Sequence, residues 1–150
     1  MSDATRPART LASALEREHR QIDGGIEAFP AGLAAGKREA EVLVTALAAL
    51  RRHIYLEEAF LFPAMREVGM TMPVFVMMRE HGTLWDSMDA LDALMGGAAA
   101  SETVMNACRE LLAQLDRHNS KEEPIIYTQA DGILSAEVSG EASRRKSPRC

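Results

Sequence analysis

The feature that most constrains this chain is a hexamer that occurs twice. Residues 53–58 read His-Ile-Tyr-Leu-Glu-Glu and residues 118–123 read His-Asn-Ser-Lys-Glu-Glu, so the pattern H-x-x-x-E-E recurs 65 positions later. A Glu-His pair precedes each copy, Glu18-His19 before the first and Glu80-His81 before the second, 62 positions apart. All four histidines of the chain belong to this double pattern. Imidazole and carboxylate groups one helical turn apart are a ligand arrangement that suits a metal ion.

Hydrophobic periodicity predicts four helices, and each of them carries one of the histidines on its apolar face. Steps of three and four residues place the members of each stripe on one side of a helix. The stripes are Ala8, Ala12, Leu15, His19, Ile22, Ile26 and Phe29; Leu43, Ala46, Leu50, His53, Glu57 and Phe60; Met77, His81, Leu84, Met88, Leu91 and Met95; and Val104, Cys108, Leu111, Leu115, His118, Glu122 and Ile125. Abundant Ala, Leu, Met and Glu, with only 5% aromatic residues, also favour helix over sheet.

We therefore expect an all-α, up-down-up-down four-helix bundle over residues 1–134. Residues 135–150 are expected to form a C-terminal tail that is either a short helix or disordered. Pro30, Gly32 and Gly36 are expected to break the first helix, and Ser101 is a candidate N-cap for the fourth. Pro63 and Pro124 each come soon after a Glu-Glu pair and are expected to end or kink their helices.

Charge and composition narrow the classes of partner. A net charge of −5 and a pI near 5.4 argue against a nucleic-acid partner, which normally requires a basic surface. No stretch approaches the roughly 20 apolar residues that cross a bilayer, and the first ten residues lack the apolar segment of a signal peptide. Two cysteines make no disulfide framework. A cytoplasmic protein without nucleic-acid or membrane partners is expected.

The inward stripes together carry four imidazoles and two carboxylates, which need compensation if they are buried. An unpaired buried polar group costs about 1–3 kcal/mol, and no Lys or Arg lies on these stripes. Metal ions would compensate, and imidazole with carboxylate suits Fe, Mn or Zn. Two carboxylates can bridge two ions while four imidazoles supply two ligands to each, which leaves open metal positions. The candidate ligands are His19, His53, Glu57, His81, His118 and Glu122.

Several details stay open at this point. The first histidine can bind the same ion as the second histidine or as the fourth. Glu123 is the alternative to Glu122 as the carboxylate that bridges the two ions. Glu58 and Glu123 are expected at the bundle edge or beside the ligands, whereas Glu18 and Glu80 are expected to be solvated. For three aromatic residues ordinary packing is the preferred interpretation: Trp85, Tyr55 and Tyr127.

The order His19, His53-x-x-x-Glu57, His81, His118-x-x-x-Glu122 resembles the hemerythrin-like, or HHE cation-binding, domain family over about residues 10–130. The resemblance implies a non-haem di-iron centre of the Fe–O–Fe type, with the two glutamates as bridges and the histidines as terminal ligands. Two departures from the oxygen-carrying hemerythrins argue against reversible oxygen carriage. Trp85 stands where those proteins have a fifth histidine, and the final motif is H-x-x-x-E-E instead of H-x-x-x-x-D.

The resemblance therefore implies a protein that binds dioxygen, nitric oxide or peroxide, with redox or detoxifying activity and an unidentified electron donor. A non-enzymatic iron or oxygen sensor is the first alternative. A ferritin-like di-metal protein is the second, since Glu16-x-x-His19 matches its ligand pair, although Met78 stands at the corresponding position before His81. A metal-free helical interaction protein is the third.

Overall fold

Helices account for every regular element in the described part of the chain. The computed structural model describes residues 10–36 and 40–133, so Ala8 and the predicted tail at 135–150 lie outside the described residues. The α-helices are α1 (Leu11–Ala34), α2 (Ala40–Leu56), α3 (Phe62–Glu67), α4 (Thr71–Gly96) and α5 (Ser101–Glu122). A π-helical turn, Glu57–Leu61, joins α2 to α3, and a second one, Glu123–Tyr127, joins α5 to a helical segment at 128–133. The result is four helical rods, numbered here in chain order: 11–34, 40–67, 71–96 and 101–133.

The rods form a bundle in which each lies against two neighbours. Helix α1 packs against α2 and α5, and α4 packs against the same two helices. The third and fourth rods are antiparallel, because Ser87 contacts Gln114 at 2.8 Å while Glu80, earlier in α4, contacts His118, later in α5. The predicted all-α four-helix bundle is confirmed.

Two apolar clusters form the core, and the histidines lie between them. One cluster includes Ile26, Leu47 and Leu111, and the other includes Phe62 and Ile126. In each rod the polar residues lie between an apolar residue that packs in one cluster and an apolar residue that packs in the other. The four series are Leu15, His19 and Ile22; Leu50, His53, Glu57 and Leu61; Met77, His81 and Leu84; and Leu115, His118, Glu122 and Ile126. Among the described helices, none is long and apolar enough to cross a membrane.

The π-helical turns shift the inward stripe by one residue in the second and fourth rods. Phe60 was expected inside but is 65% exposed, whereas Leu61 is buried. In the same way Ile125 is 48% exposed and Ile126 is buried. A π-helical turn contains about one residue more than an α-helical turn, so every later residue is displaced around the helix. The expected positions of Phe60 and Ile125 are therefore wrong for one shared reason.

Three expectations about helix ends are also wrong. Rods two and four do not end at Pro63 and Pro124; instead a π-helical turn lies just before Pro63 or contains Pro124 and accommodates a residue that has no N–H to donate, and whether the prolines kink the rods stays a prediction. Helix α1 continues through Pro30 and Gly32 and ends only before Gly36, whose φ of 77° suits glycine. Ser101 is the first residue of α5, and no side chain caps that helix.

Candidate metal centre

All six predicted ligands meet in the middle of the bundle, one or two from each rod. Their positions on the inward stripes bring them there, between the two apolar clusters. None is more than 4% exposed: His19, His53, Glu57, His81, His118 and Glu122. The described residues therefore hold a buried polar layer of four imidazoles and two carboxylates. That these six residues bind metal stays a prediction.

Within this layer the side chains form two groups that could each hold an ion. The first group is His19, His53, Glu57 and Glu122, and the second is His81, His118 and Glu122. In each group the ligand atoms lie within 4.8 Å of one another. In these groups the first histidine lies with the second and the third with the fourth. Which histidines share an ion stays a prediction.

The two carboxylates extend between the groups. Glu122 places Oε1 3.2 Å from His19 Nε2 and Oε2 3.2 Å from His118 Nε2, one oxygen toward each group. Glu57 Oε1 lies 3.0 Å from His53 Nε2 and 3.7 Å from His81 Nε2. This is the position that a bridging carboxylate requires. It is Glu122, the first residue of its Glu-Glu pair, that lies inside the site.

Four further glutamates contact the outward nitrogens of the four imidazoles. The Nδ1-to-oxygen distances are 3.3 Å for His19–Glu123, 3.3 Å for His53–Glu18, 3.7 Å for His81–Glu58 and 3.0 Å for His118–Glu80. Two of these contacts, His19–Glu123 and His118–Glu80, are within hydrogen-bond geometry, and a carboxylate that accepts from Nδ1–H keeps the Nε2 lone pair available for a metal ion. We call these four residues the outer glutamates.

The outer glutamates link each rod to the next around the bundle. Glu18 on the first rod contacts the histidine of the second, and Glu58 on the second contacts that of the third. Glu80 on the third rod contacts the histidine of the fourth, and Glu123 on the fourth contacts that of the first. Glu18 and Glu80 were expected to be solvated; both are only partly exposed, because each lies beside a ligand on its own helix and faces a histidine of the neighbouring helix.

The charges of this layer fit a cation. Within the described residues, Glu57 Oε1 and both ring nitrogens of His81 are buried without a hydrogen-bond partner. The described ion-pair contacts of Glu57 and Glu122 all involve histidine. Buried acceptors without a partner are costly, and ions with nitrogen and oxygen preference would pair with them. The donor set therefore fits a pair of metal ions.

Burial and mutual contact separate the pKa values of the two carboxylates. Burial and the neighbouring Glu122 raise the pKa of Glu57 well above its usual range. Although burial alone would raise the pKa of Glu122, contacts with the imidazoles of His118 and His19 hold it well below the usual range. Burial and the nearby His19 lower the pKa of His53 to about 4. His53 is therefore neutral at pH 7, the protonation state that a metal ligand needs.

The reasoning from sequence missed Tyr127, whose hydroxyl lies inside the first group. Its oxygen lies 2.7 Å from His19 Nε2, 2.9 Å from His53 Nε2, 2.8 Å from Glu122 Oε1 and 3.2 Å from Glu57 Oε2, and its single proton can be donated to either carboxylate. On a regular α-helix, a residue nine positions after His118 would lie about two and a half turns on, on the opposite face. The second π-helical turn brings Tyr127 inward. The sequence did contain one signal for Tyr127. It lies 65 positions after Phe62, which is the offset between the two H-x-x-x-E-E motifs, so the two aromatic residues occupy equivalent positions of the repeat.

Two other aromatic side chains lie away from the site. Trp85 is 37% exposed and its ring lies under the Arg51 guanidinium, 5.6 Å from centroid to Cζ, so it is not the core residue expected. Tyr55 is 63% exposed. Glu16, the residue that suggested a ferritin-like ligand pair, belongs to neither candidate ligand group in the described residues.

Comparison with known families agrees with this geometry. A family model described as the hemerythrin HHE cation binding domain matches residues 10–130. Neither the curated proteins nor the solved structures give a significant match. The matched range contains all six candidate ligands, the four outer glutamates and both π-helical turns. The chain belongs to the hemerythrin HHE cation-binding domain family.

Proposed function

We propose that this protein holds two iron ions and binds a small ligand, dioxygen, nitric oxide or peroxide, at the bridged centre. The observation that carries the proposal is the pair of buried ligand groups that share Glu122. His19 and His53 would hold one ion, His81 and His118 the other, and Glu57 and Glu122 would bridge them. When bound, iron supplies Lewis acidity and a store of electrons for reduction or disproportionation of the ligand.

The surroundings of the site favour a small, weakly polar ligand. Beside Glu57 a pocket of about 230 Å³ is lined otherwise by apolar side chains, among them Leu15, Leu56 and Phe60. Such a pocket admits a diatomic molecule at little desolvation cost, whereas a charged substrate would lose its hydration there. The burial of the six ligands excludes bulk water from the reacting centre, and the outer glutamates hold the imidazoles in orientation.

The direct test compares peroxide turnover and nitric oxide consumption by iron-loaded and metal-free protein. A matched variant, His53→Ala combined with His118→Ala, removes one ligand from each group. We expect activity toward peroxide or nitric oxide in the iron-loaded protein and a large loss in the variant. Equal activity in the iron-loaded, metal-free and variant proteins would show that the reaction does not take place at this site. If the iron-loaded protein acts on neither peroxide nor nitric oxide, the protein is not an enzyme for these substrates.

The outer glutamates support one alternative, a sensor in which metal occupancy controls how the rods pack. Each of them connects a ligand on one rod to the next rod, so a change at the metal would reach all four helices. This function requires no turnover. A loaded protein that is inactive in both assays, but whose helix packing changes with iron or oxygen by hydrogen exchange, would favour the sensor over the enzyme.

A further inference from the structure

The hydroxyl of Tyr127 is placed to act on one metal position and not on the other. Its oxygen lies within 3.2 Å of one atom of each member of the first group, and the side chain is fully buried. Nitrogen and oxygen ligands bind metal ions at about 2 Å. An ion held by the first group would therefore have the Tyr127 oxygen as its nearest further donor among the described side chains.

The second group has a phenylalanine at the equivalent place. Phe62 and Tyr127 are 65 positions apart, the same offset that separates the two H-x-x-x-E-E motifs. Both are fully buried, and Phe62 stacks on His81 with ring centroids 5.4 Å apart and an angle of 19° between the planes. The repeat thus supplies a phenol to the first group and a plain phenyl ring to the second. The two halves differ by one oxygen donor.

The hydroxyl makes more polar contacts than packing requires. A buried tyrosine needs one hydrogen-bond partner to offset the burial of its hydroxyl, and the Tyr127 oxygen has four nearby ligand atoms. Phe62 fills the corresponding space in the other half without any hydroxyl. The phenol oxygen therefore lies in the polar layer as a member of the first group and not as the tip of a core side chain.

We propose that Tyr127 is a ligand of the ion held by His19 and His53, so that added ligands bind at the ion held by His81 and His118. This inference rests on the proposed function, because it requires both ions. On loading, a metal–oxygen bond forms in place of the O–H bond, and the phenol proton is released to solvent, as for other ligands that bind after losing a proton. Tyr127 supplies one further ligand, which leaves the open position beside Phe62.

The test is spectroscopic and uses the full chain loaded with iron and oxidised to the ferric state. A phenolate bound to ferric iron absorbs visible light and gives resonance Raman bands of the tyrosine ring. The chain has two tyrosines, so the matched control is Tyr55→Phe, which removes the exposed one. Iron content is measured for each sample beside the spectrum, and circular dichroism confirms that each variant is folded.

We expect the phenolate bands in the wild-type protein and in Tyr55→Phe, and their loss in Tyr127→Phe. Phe62→Tyr should add a second phenolate and increase the visible absorption per chain. Iron-loaded wild-type protein without phenolate bands, or bands that persist in Tyr127→Phe, would overturn the ligand assignment while leaving the proposed function intact. A wild-type protein that binds no iron would instead overturn the proposed function and this inference with it.

Azide tests the second half of the proposal. Azide is a small anion that binds ferric iron at open positions and can be followed by its own absorption band. We expect Phe62→Tyr to weaken azide binding by at least about tenfold, a loss of about 1.4 kcal/mol, because a second phenol would occupy the open position. Tyr55→Phe, at an exposed position outside the site, should not weaken it. Unchanged azide affinity in Phe62→Tyr would show that the open position does not lie beside Phe62.

Discussion

At the scale of single residues, the candidate site depends on which nitrogen of each imidazole faces inward. All four histidines direct Nε2 toward Glu57 or Glu122 and Nδ1 toward an outer glutamate. The orientation is thus determined by residues adjacent to the ligand motifs on neighbouring helices. Although partial burial raises the pKa of Glu80, hydrogen bonds from Lys121 and His118 lower it overall, so this outer glutamate is ionised at neutral pH.

Replacement of an outer glutamate should weaken metal binding without removing a ligand. In Glu80→Gln the amide is a weaker partner for His118 Nδ1–H, and we expect a loss of roughly 10–100-fold in metal affinity. The measurement is competition with a chelator of known affinity. Lys121→Gln is the control, since it removes only the exposed partner of Glu80. Equal affinities in Glu80→Gln and wild type would show that the contact with His118 has no effect on binding.

His53 should make the metal-free protein sensitive to acid. Its pKa is about 4 in the folded state and 6.5 ordinarily, so between these values the unfolded chain binds more protons. The stability that neutral His53 contributes is complete above pH 6.5 and is lost as the pH falls toward 4. Between pH 6.5 and 5 this loss amounts to about 1.5 kcal/mol.

The measurement is urea unfolding of metal-free protein at both pH values. The variant His53→Gln has no imidazole to protonate, so its free energy of unfolding should fall by about 1.5 kcal/mol less than that of the wild type over this range. The other titrating groups are present in both proteins, and the difference therefore reports on His53. The same pH dependence in both proteins would contradict the lowered pKa.

At the scale of helices, prediction from the sequence succeeds where the hydrophobic period is regular and fails where the period changes. Four amphipathic stripes identified the helices and the six inward polar residues, because the second and fourth stripes are regular up to Glu57 and Glu122 and the first and third are regular throughout. Beyond these residues the π-helical turns displace the stripe. This accounts for the wrong positions of Phe60 and Ile125 and for the missed Tyr127. The outer glutamates were missed for another reason: their partners lie on neighbouring helices, which the period of one helix does not reveal.

The contact between α1 and α2 gives a prediction at this scale. A Cβ added at Gly25 would lie 2.8 Å from Ala46 Cβ, so Gly25→Ala would force the two helices apart. We expect a destabilisation of about 1–3 kcal/mol, measured by urea unfolding. Gly24→Ala is the matched control, because a Cβ there meets no atom within 4 Å and the helix gains propensity.

A second substitution checks the cause of this effect. Gly25→Ala combined with Ala46→Gly removes the clashing methyl group from the other side and should recover part of the lost stability. If Gly25→Ala is no less stable than Gly24→Ala, the close approach of α1 and α2 at this point is wrong.

At the scale of the whole molecule, the polar layer divides the core into two apolar clusters. Burial of four imidazoles and two carboxylates is a cost that the clusters must offset when no metal is bound. Metal binding to the folded state should therefore stabilise the protein by mass action, by about 2.7 kcal/mol at a free metal concentration one hundred times the Kd.

Thermal unfolding with and without a chelator tests this dependence. We expect the melting temperature to fall on metal removal in the wild-type protein and to change far less in His53→Ala combined with His118→Ala, which lacks a ligand in each group. A melting temperature that is indifferent to the metal in the wild-type protein would argue for the metal-free interaction protein.

Iron stoichiometry decides whether the two ligand groups hold two ions. Metal-free protein is titrated with ferrous iron without oxygen, and bound iron per chain is measured in wild type, His53→Ala and His118→Ala. We expect the wild type to bind two iron ions per chain, one for each group. Either variant should bind fewer than two iron ions tightly. A wild-type protein that binds no iron, or variants that bind as much iron as tightly as the wild type, would contradict a two-ion centre built from these groups.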